Sequence, residues 1–158
     1  RQSETDSIAE AEEFKLKRQN VIHDYIFWAM APILEEEEMA ALWLEYKEWL
    51  ERPLYKPKGR NWKWKADKDV RNLDARHLTW NIARRMGLGV DKHCAYTTEL
   101  CGKFINNLFP DLCKNTDWFT LSKSLTADPE KGYIKIDKPD SKTSIAFHYP
   151  VPSEKEEE

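Results

Sequence analysis

A chain of 158 residues, 41% hydrophobic and 34% charged, is long enough to bury one real core and falls outside collagen-like or wholly disordered compositions. Its longest apolar run, Tyr25 to Ala31, is far too short to span a bilayer, and three cysteines at irregular spacing argue for reduced thiols in an intracellular protein, cytoplasmic or nuclear, over a disulfide scaffold. The formal net charge of −3 hides an uneven layout: Arg52 to Arg71 holds eight Lys/Arg against Asp67 and Asp69, a local +6, so the remainder stands at −9.

Residues 1–6 are polar and are expected to be flexible. No signal-peptide pattern is present, and an initial Arg in place of Met leaves processing open. Ser7 with Glu10 forms a capping-box pattern that opens a long helix to about Ala31. Its first half is charged, while Val21 to Ala31 is apolar on most sides, as suits a core helix or a subunit interface. Pro32 ends it. A second helix is predicted from about Ile33 to Arg52, with a stripe of Met39, Leu42, Trp43, Tyr46 and Leu50 widened by Trp49. Glu35 to Glu38 fall in its first turns, where carboxylates suit the helix dipole; consecutive helical positions point apart, so the run reads as a solvated face and not a metal site. Phe27, Trp28, Trp43 and Trp49 of this pair, 7–52, are the candidate anchors for a protein partner or a second copy.

Residues 53–70 form a basic strap in which Lys56, Lys58, Arg60, Lys63 and Lys65 interleave with Tyr55, Trp62 and Trp64. Lysines gain affinity for phosphates by releasing counterions, and aromatic faces stack on unpaired bases. The competing reading tucks Trp62 and Trp64, two apart on an edge strand, against the helices.

In the third part, 71–152, Ala75, Leu78, Ile82 and Met86 recur at helical spacing, with Thr79 and Ala83 in the same stripe. Arg76, Trp80, Arg84 and Arg85 fall off it, toward solvent or a partner. Gly87 and Gly89 close this helix, and Asp91 caps a second one bearing Cys94, Cys101, Ile105 and Leu108. Two helices across a short glycine turn have the layout of a helix-turn-helix, and an αα-hairpin within a core is the plainer version of the same pattern. A short helix capped by Asn115 or Thr116 runs to about Leu125. YIKID and TSIAFHY then alternate with period two around Lys138-Pro139-Asp140-Ser141-Lys142, which predicts a C-terminal β-hairpin. The tail 153–158 is acidic and is expected to be disordered. Three helices followed by a lysine-tipped hairpin resembles a winged-helix arrangement over roughly residues 70–150. The resemblance rests on element order alone and implies either nucleic-acid or protein docking.

Catalytic chemistry finds little foothold. Cys94 and Cys101 lie seven apart on an apolar stripe, His77 and His93 are scattered, and closely spaced zinc-ligand pairs, phosphate-cradling glycine loops and dinucleotide fingerprints are missing. No catalytic residue, metal or cofactor is assigned. The sequence therefore predicts a mainly α domain of about five helices with a C-terminal hairpin, 7–152, and a binder in preference to an enzyme. Its first function is nucleic-acid binding (DNA or RNA), with phosphates held by the five strap cations and by Arg84 and Arg85, stacking from Trp62 and Trp64, and a further contact at Lys138 and Lys142. The alternative is a non-catalytic assembly subunit docking through its tryptophan-rich N-terminal helices. Neither involves a membrane.

Overall fold

Proline and glycine divide the chain into helices of very different length. The computed structural model describes residues 2–149, among which are α1 (Gln2–Met30), a 3-10 turn (Glu36–Glu38), α2 (Met39–Glu51), α3 (Asn72–Arg85), α4 (Thr98–Leu108) and α5 (Trp118–Lys123). The protein is mainly helical, as expected. The acidic tail and the end of the expected domain, 150–152, lie outside the described residues.

α1 starts at Gln2, ahead of the Ser7–Glu10 pattern, and ends just before Pro32, whose ring disfavours helical geometry in the preceding residue. Its two halves differ sharply. Residues 4–17 are exposed on every side, whereas Ile22, Tyr25, Ile26, Ala29 and Met30 are buried. α2 buries Met39, Leu42, Tyr46, Trp49 and Leu50, the spacing of one helix face. At the centre Trp49 stacks on Phe104 of α4, with centroids 4.3 Å apart and planes at 17°. Tyr96 meets Trp49 edge-on, and its hydroxyl donates to the Trp49 and Leu50 carbonyls at 2.6 and 3.0 Å, closing the end of α2. α4 and α5 pack closely because residue 102 is glycine: a Cβ there would lie 2.4 Å from the Trp118 carbonyl oxygen.

Two expected elements differ. The short turn of a helix-turn-helix is replaced by residues 86–97, because Asp91 opens a turn and not a helix, and Tyr96 must reach back to α2. The true cap of α4 is Thr97, whose side chain accepts from the Leu100 amide at 3.1 Å. The C-terminal β-hairpin is not formed among the described residues: 133–149 is irregular, with no strand. Groups that a ladder would pair are bonded by side chains of α3 instead. The Asp74 carboxylate accepts from the Tyr133 and Ile134 amides at 2.7 and 3.1 Å. Asn81 accepts from the Asp137 amide (2.8 Å) and donates to the Lys135 carbonyl (2.9 Å), and His77 bridges the Ile134 and Ala127 carbonyls. Arg85 donates to the Ala146 carbonyl (2.9 Å), the Asp137 carboxylate (2.7 Å) and the Asp137 carbonyl. Without the short turn or the wing, the winged-helix likeness reduces to the order of the helices.

Candidate functional site

The strap folds across the C-terminal end of α4. The Trp62 indole donates to the Leu108 carbonyl at 2.8 Å, the Trp64 indole to Asp111 at 2.9 Å, and both rings lie against Phe109. Trp62 is 4% exposed. The competing tucked reading of this pair is therefore the observed one, and Trp62 has no face left for a base. Between them the backbone of Lys63 and Lys65 pairs with 33–35 through an isolated antiparallel bridge, Leu34 to Trp64. Gly59 allows the close pass over α4, since a Cβ there would sit 2.3 Å from the Asn107 carbonyl oxygen.

With both indoles turned inward, the alternation of a strand sends the intervening lysines outward. Lys56, Lys58 and Lys63 are exposed and Lys65 half-buried, and among the described residues none of the four ammonium groups is in an ion pair. Arg60 differs: it pairs with Glu38 at 2.7 Å while lying over the Trp62 ring. Glu38, expected on a solvated face, is buried, and also accepts from the Lys63 amide at 2.9 Å. It anchors the strap to the start of α2.

The other predicted cations divide. Lys138 and Lys142 are exposed and without an ion pair among the described residues. Arg84 is half-buried, with one terminal nitrogen buried and unpartnered. Arg85 is 4% exposed and lies over Phe147, its charge spent on Asp137. It cannot meet a phosphate in this fold. The reason is that α3 is buried nearly all round, so a residue off its apolar stripe still faces protein. Of the predicted partner anchors, Trp49 is in the core, and Phe27 and Trp43 are half-buried against His23. Trp28 alone stands out, 46% exposed.

Trp28 forms a ridge between two depressions. One, about 560 Å³, lies between the end of α1 and the C-terminal segment; Tyr25, Pro32, Tyr133 and Tyr149 line it, with Lys135 and Lys138 at its rim. The other, about 650 Å³, is walled by Phe27, Leu34 and Met39 and reached by Lys65 and Glu36. Tyr149 stands edge-on to Trp28, centroids 5.0 Å apart and planes at 87°. Tyr133 ties this cleft to the strap: its hydroxyl accepts from the Asp69 amide, and Lys68 lies over its ring.

A charged clasp borders the cleft. The His148 ring lies 2.7 Å from Asp137 and 2.8 Å from Asp140, and the bond to Asp137, followed by that to Asp140, raises its pKa above the usual imidazole value. Burial pushes the Asp137 carboxyl up, but the His148 amide and ring and the Arg85 guanidinium together outweigh it and hold the group below its ordinary value. Asp137 thus has its charge matched from two sides. Sequence reasoning missed this clasp and the row Asp74, His77, Asn81, Arg85, although the row's spacing of 3, 4 and 4 was available to find it.

The cysteines are free thiols. Burial pushes Cys101 far up and Cys113 up to about 11, so neither is an activated nucleophile. Among the described residues no group of three or more His, Cys, Asp or Glu could hold a metal ion, and no helix is long and apolar enough to cross a membrane. Compared with known proteins, the chain matches no family model, no curated protein and no solved structure.

Proposed function

We propose that this chain is a nucleic-acid-binding domain that holds phosphates on the outward edge of its strap. One observation carries the reading: Lys56, Lys58, Lys63 and Lys65 lack ion-pair partners among the described residues, on a backbone pinned by buried indoles and by Glu38. Free ammonium groups on an ordered strap bind a polyanion without first breaking salt bridges, and the gain comes from counterion release. Trp62, Trp64 and Arg85 drop out of the predicted contact set, and the helix-turn-helix and winged-helix modes drop with them. Lys138 and Lys142 stay as secondary contacts.

The test is fluorescence anisotropy of labelled single- and double-stranded DNA and RNA at low and near-physiological salt. Replacing the four strap lysines by alanine should weaken binding to every sequence and reduce the log–log salt slope by about 3, at roughly 0.7–0.9 for each phosphate no longer neutralised. Unchanged affinity in that variant would remove the strap as the site.

A second reading, a non-catalytic assembly subunit, is favoured by one specific observation. Residues 4–17 of α1 are exposed all round, with Ile8, Phe14 and Leu16 in contact with solvent. A helical arm that buries nothing of its own suits docking to a partner or a second copy. A mass independent of concentration in sedimentation would remove self-association from this reading.

A further inference from the structure

We propose that the Trp28 ridge is a stacking site for an unpaired nucleobase, so that the ligand of the strap is single-stranded; this rests on the reading of the strap as a phosphate-binding edge. The indole is 46% exposed in a chain whose other core-side tryptophans are turned inward or packed, and it lies between two open depressions that leave its flanks accessible. Tyr149 holds it edge-on from one side, and Tyr25 supports it from within at 6.2 Å. A supported, flat and half-exposed ring is what a base needs from a protein.

Charge around the ring selects the class of ligand. Lys135, Lys138 and His148 line the cleft, and Lys65 borders the groove. Arg85 and His148 are matched by Asp137 and Asp140, which leaves the three lysines against Glu36 in the groove and Asp24 beside Tyr149. The surplus near the ring is positive. A planar apolar group flanked by anions satisfies both features, whereas a purely apolar peptide satisfies only the first. Lys65 belongs at once to the groove beside Trp28 and to the strap, and Lys68 lies over Tyr133 of the cleft, so one strand can run from the strap lysines to the ridge. A duplex, with its bases stacked internally, could use the lysines but not the ring.

The experiment compares the full chain with Trp28→Ala and Trp28→Phe, using labelled oligothymidylate, an abasic oligomer of equal length and a duplex. Trp28→Ala should lower affinity for oligothymidylate at least ~5-fold, leave the abasic oligomer and the salt slope unchanged, and be partly rescued in Trp28→Phe. Equal loss on the base-bearing and abasic oligomers, or no loss on either, would overturn the stacking site while leaving the strap reading to its own lysine variant. No binding of any oligomer by the unaltered chain, even at low salt, would overturn both. A mass that rises with concentration and returns to monomer in Trp28→Ala would make the ridge a self-interface and overturn the proposal. Tyr149→Ala supplies a second variant should Trp28→Ala fail to give the native circular dichroism: it removes the edge-on support and should reproduce the selective loss.

Discussion

His148 shows how much one side chain at the edge of a fold can be asked to do. It is half-exposed, yet its ring touches Asp137 and Asp140 and its amide donates to Asp137, which in turn receives Arg85 from the core. Because its folded pKa is raised, His148 contributes a stabilisation that is complete below about pH 6.5 and fades as pH climbs through the folded value. Asp137 has the opposite sign. Its folded pKa is lowered, so its contribution is complete above about pH 3.8 and disappears as pH falls through the folded value. In the folded protein the clasp thus stays charged somewhat below pH 3.8 and somewhat above pH 6.5. An NMR titration should therefore place the His148 imidazole above 6.5, and Asp137→Asn should bring it down. In urea denaturation, His148→Gln should flatten the fall in stability on the alkaline side of 6.5 and only reduce the acid limb, since the residue-148 amide and Arg85 still hold Asp137. An imidazole titrating at or below 6.5 would refute the clasp.

Elements were legible in the sequence where one face of a helix carries the signal, and illegible where polar side chains replace backbone pairing. The stripes of α2 and α3 are buried as their spacing predicts, except for half-buried Trp43 and Met86, and Pro32 closes α1. The strap's tucked indoles were foreseen as one of two readings. What failed was the hairpin: period-two alternation in YIKID and TSIAFHY describes an extended chain but not its partner, and the partner here is a helix. Arg85 failed for a related reason, since a stripe reading assumes an exposed back, and α3 has almost none. α4 and α5 offer a test in which two local effects oppose each other. Intrinsic propensity favours Gly102→Ala by about 1 kcal/mol, but the new Cβ would meet the Trp118 carbonyl oxygen at 2.4 Å and force the helices apart. Overpacking of this kind costs about 1–3 kcal/mol, so Gly102→Ala should lower the urea midpoint with an unchanged m-value. A raised midpoint would show that the two helices have slack.

At the scale of the whole molecule, the charge layout and the packing divide the chain in the same place. The +6 strap lies over α4, and the acidic remainder includes the exposed arm of α1. The fold does not divide, because residues 133–149 complete the surroundings of α3. Deleting everything after Gly132 would leave Asp74, Asn81 and Arg85 facing a vacated surface, together with the Tyr25 hydroxyl that Asn81 reaches at 2.7 Å. Water would bond the bared polar groups, but the deletion takes Ile134 and Phe147 out of the core and uncovers Tyr25, and each buried side chain of that kind contributes about 1.5–3 kcal/mol, together a large share of the stability of a domain this size. Such a truncation should lose its cooperative urea transition and bind a hydrophobic dye; a sharp transition at the midpoint of the 158-residue chain would refute the dependence. The same geometry sets an order for folding. The side chains in the inner row of α3 find most of their partners 50 to 61 residues further along the chain. Until residues 133–149 arrive, the row keeps such bonds as Asn81–Tyr25 and Arg71–Asp74, and burying its remaining groups would carry their desolvation cost. Closure over α3 therefore waits on residues 133–149, and the docking of that one segment decides when the row leaves water.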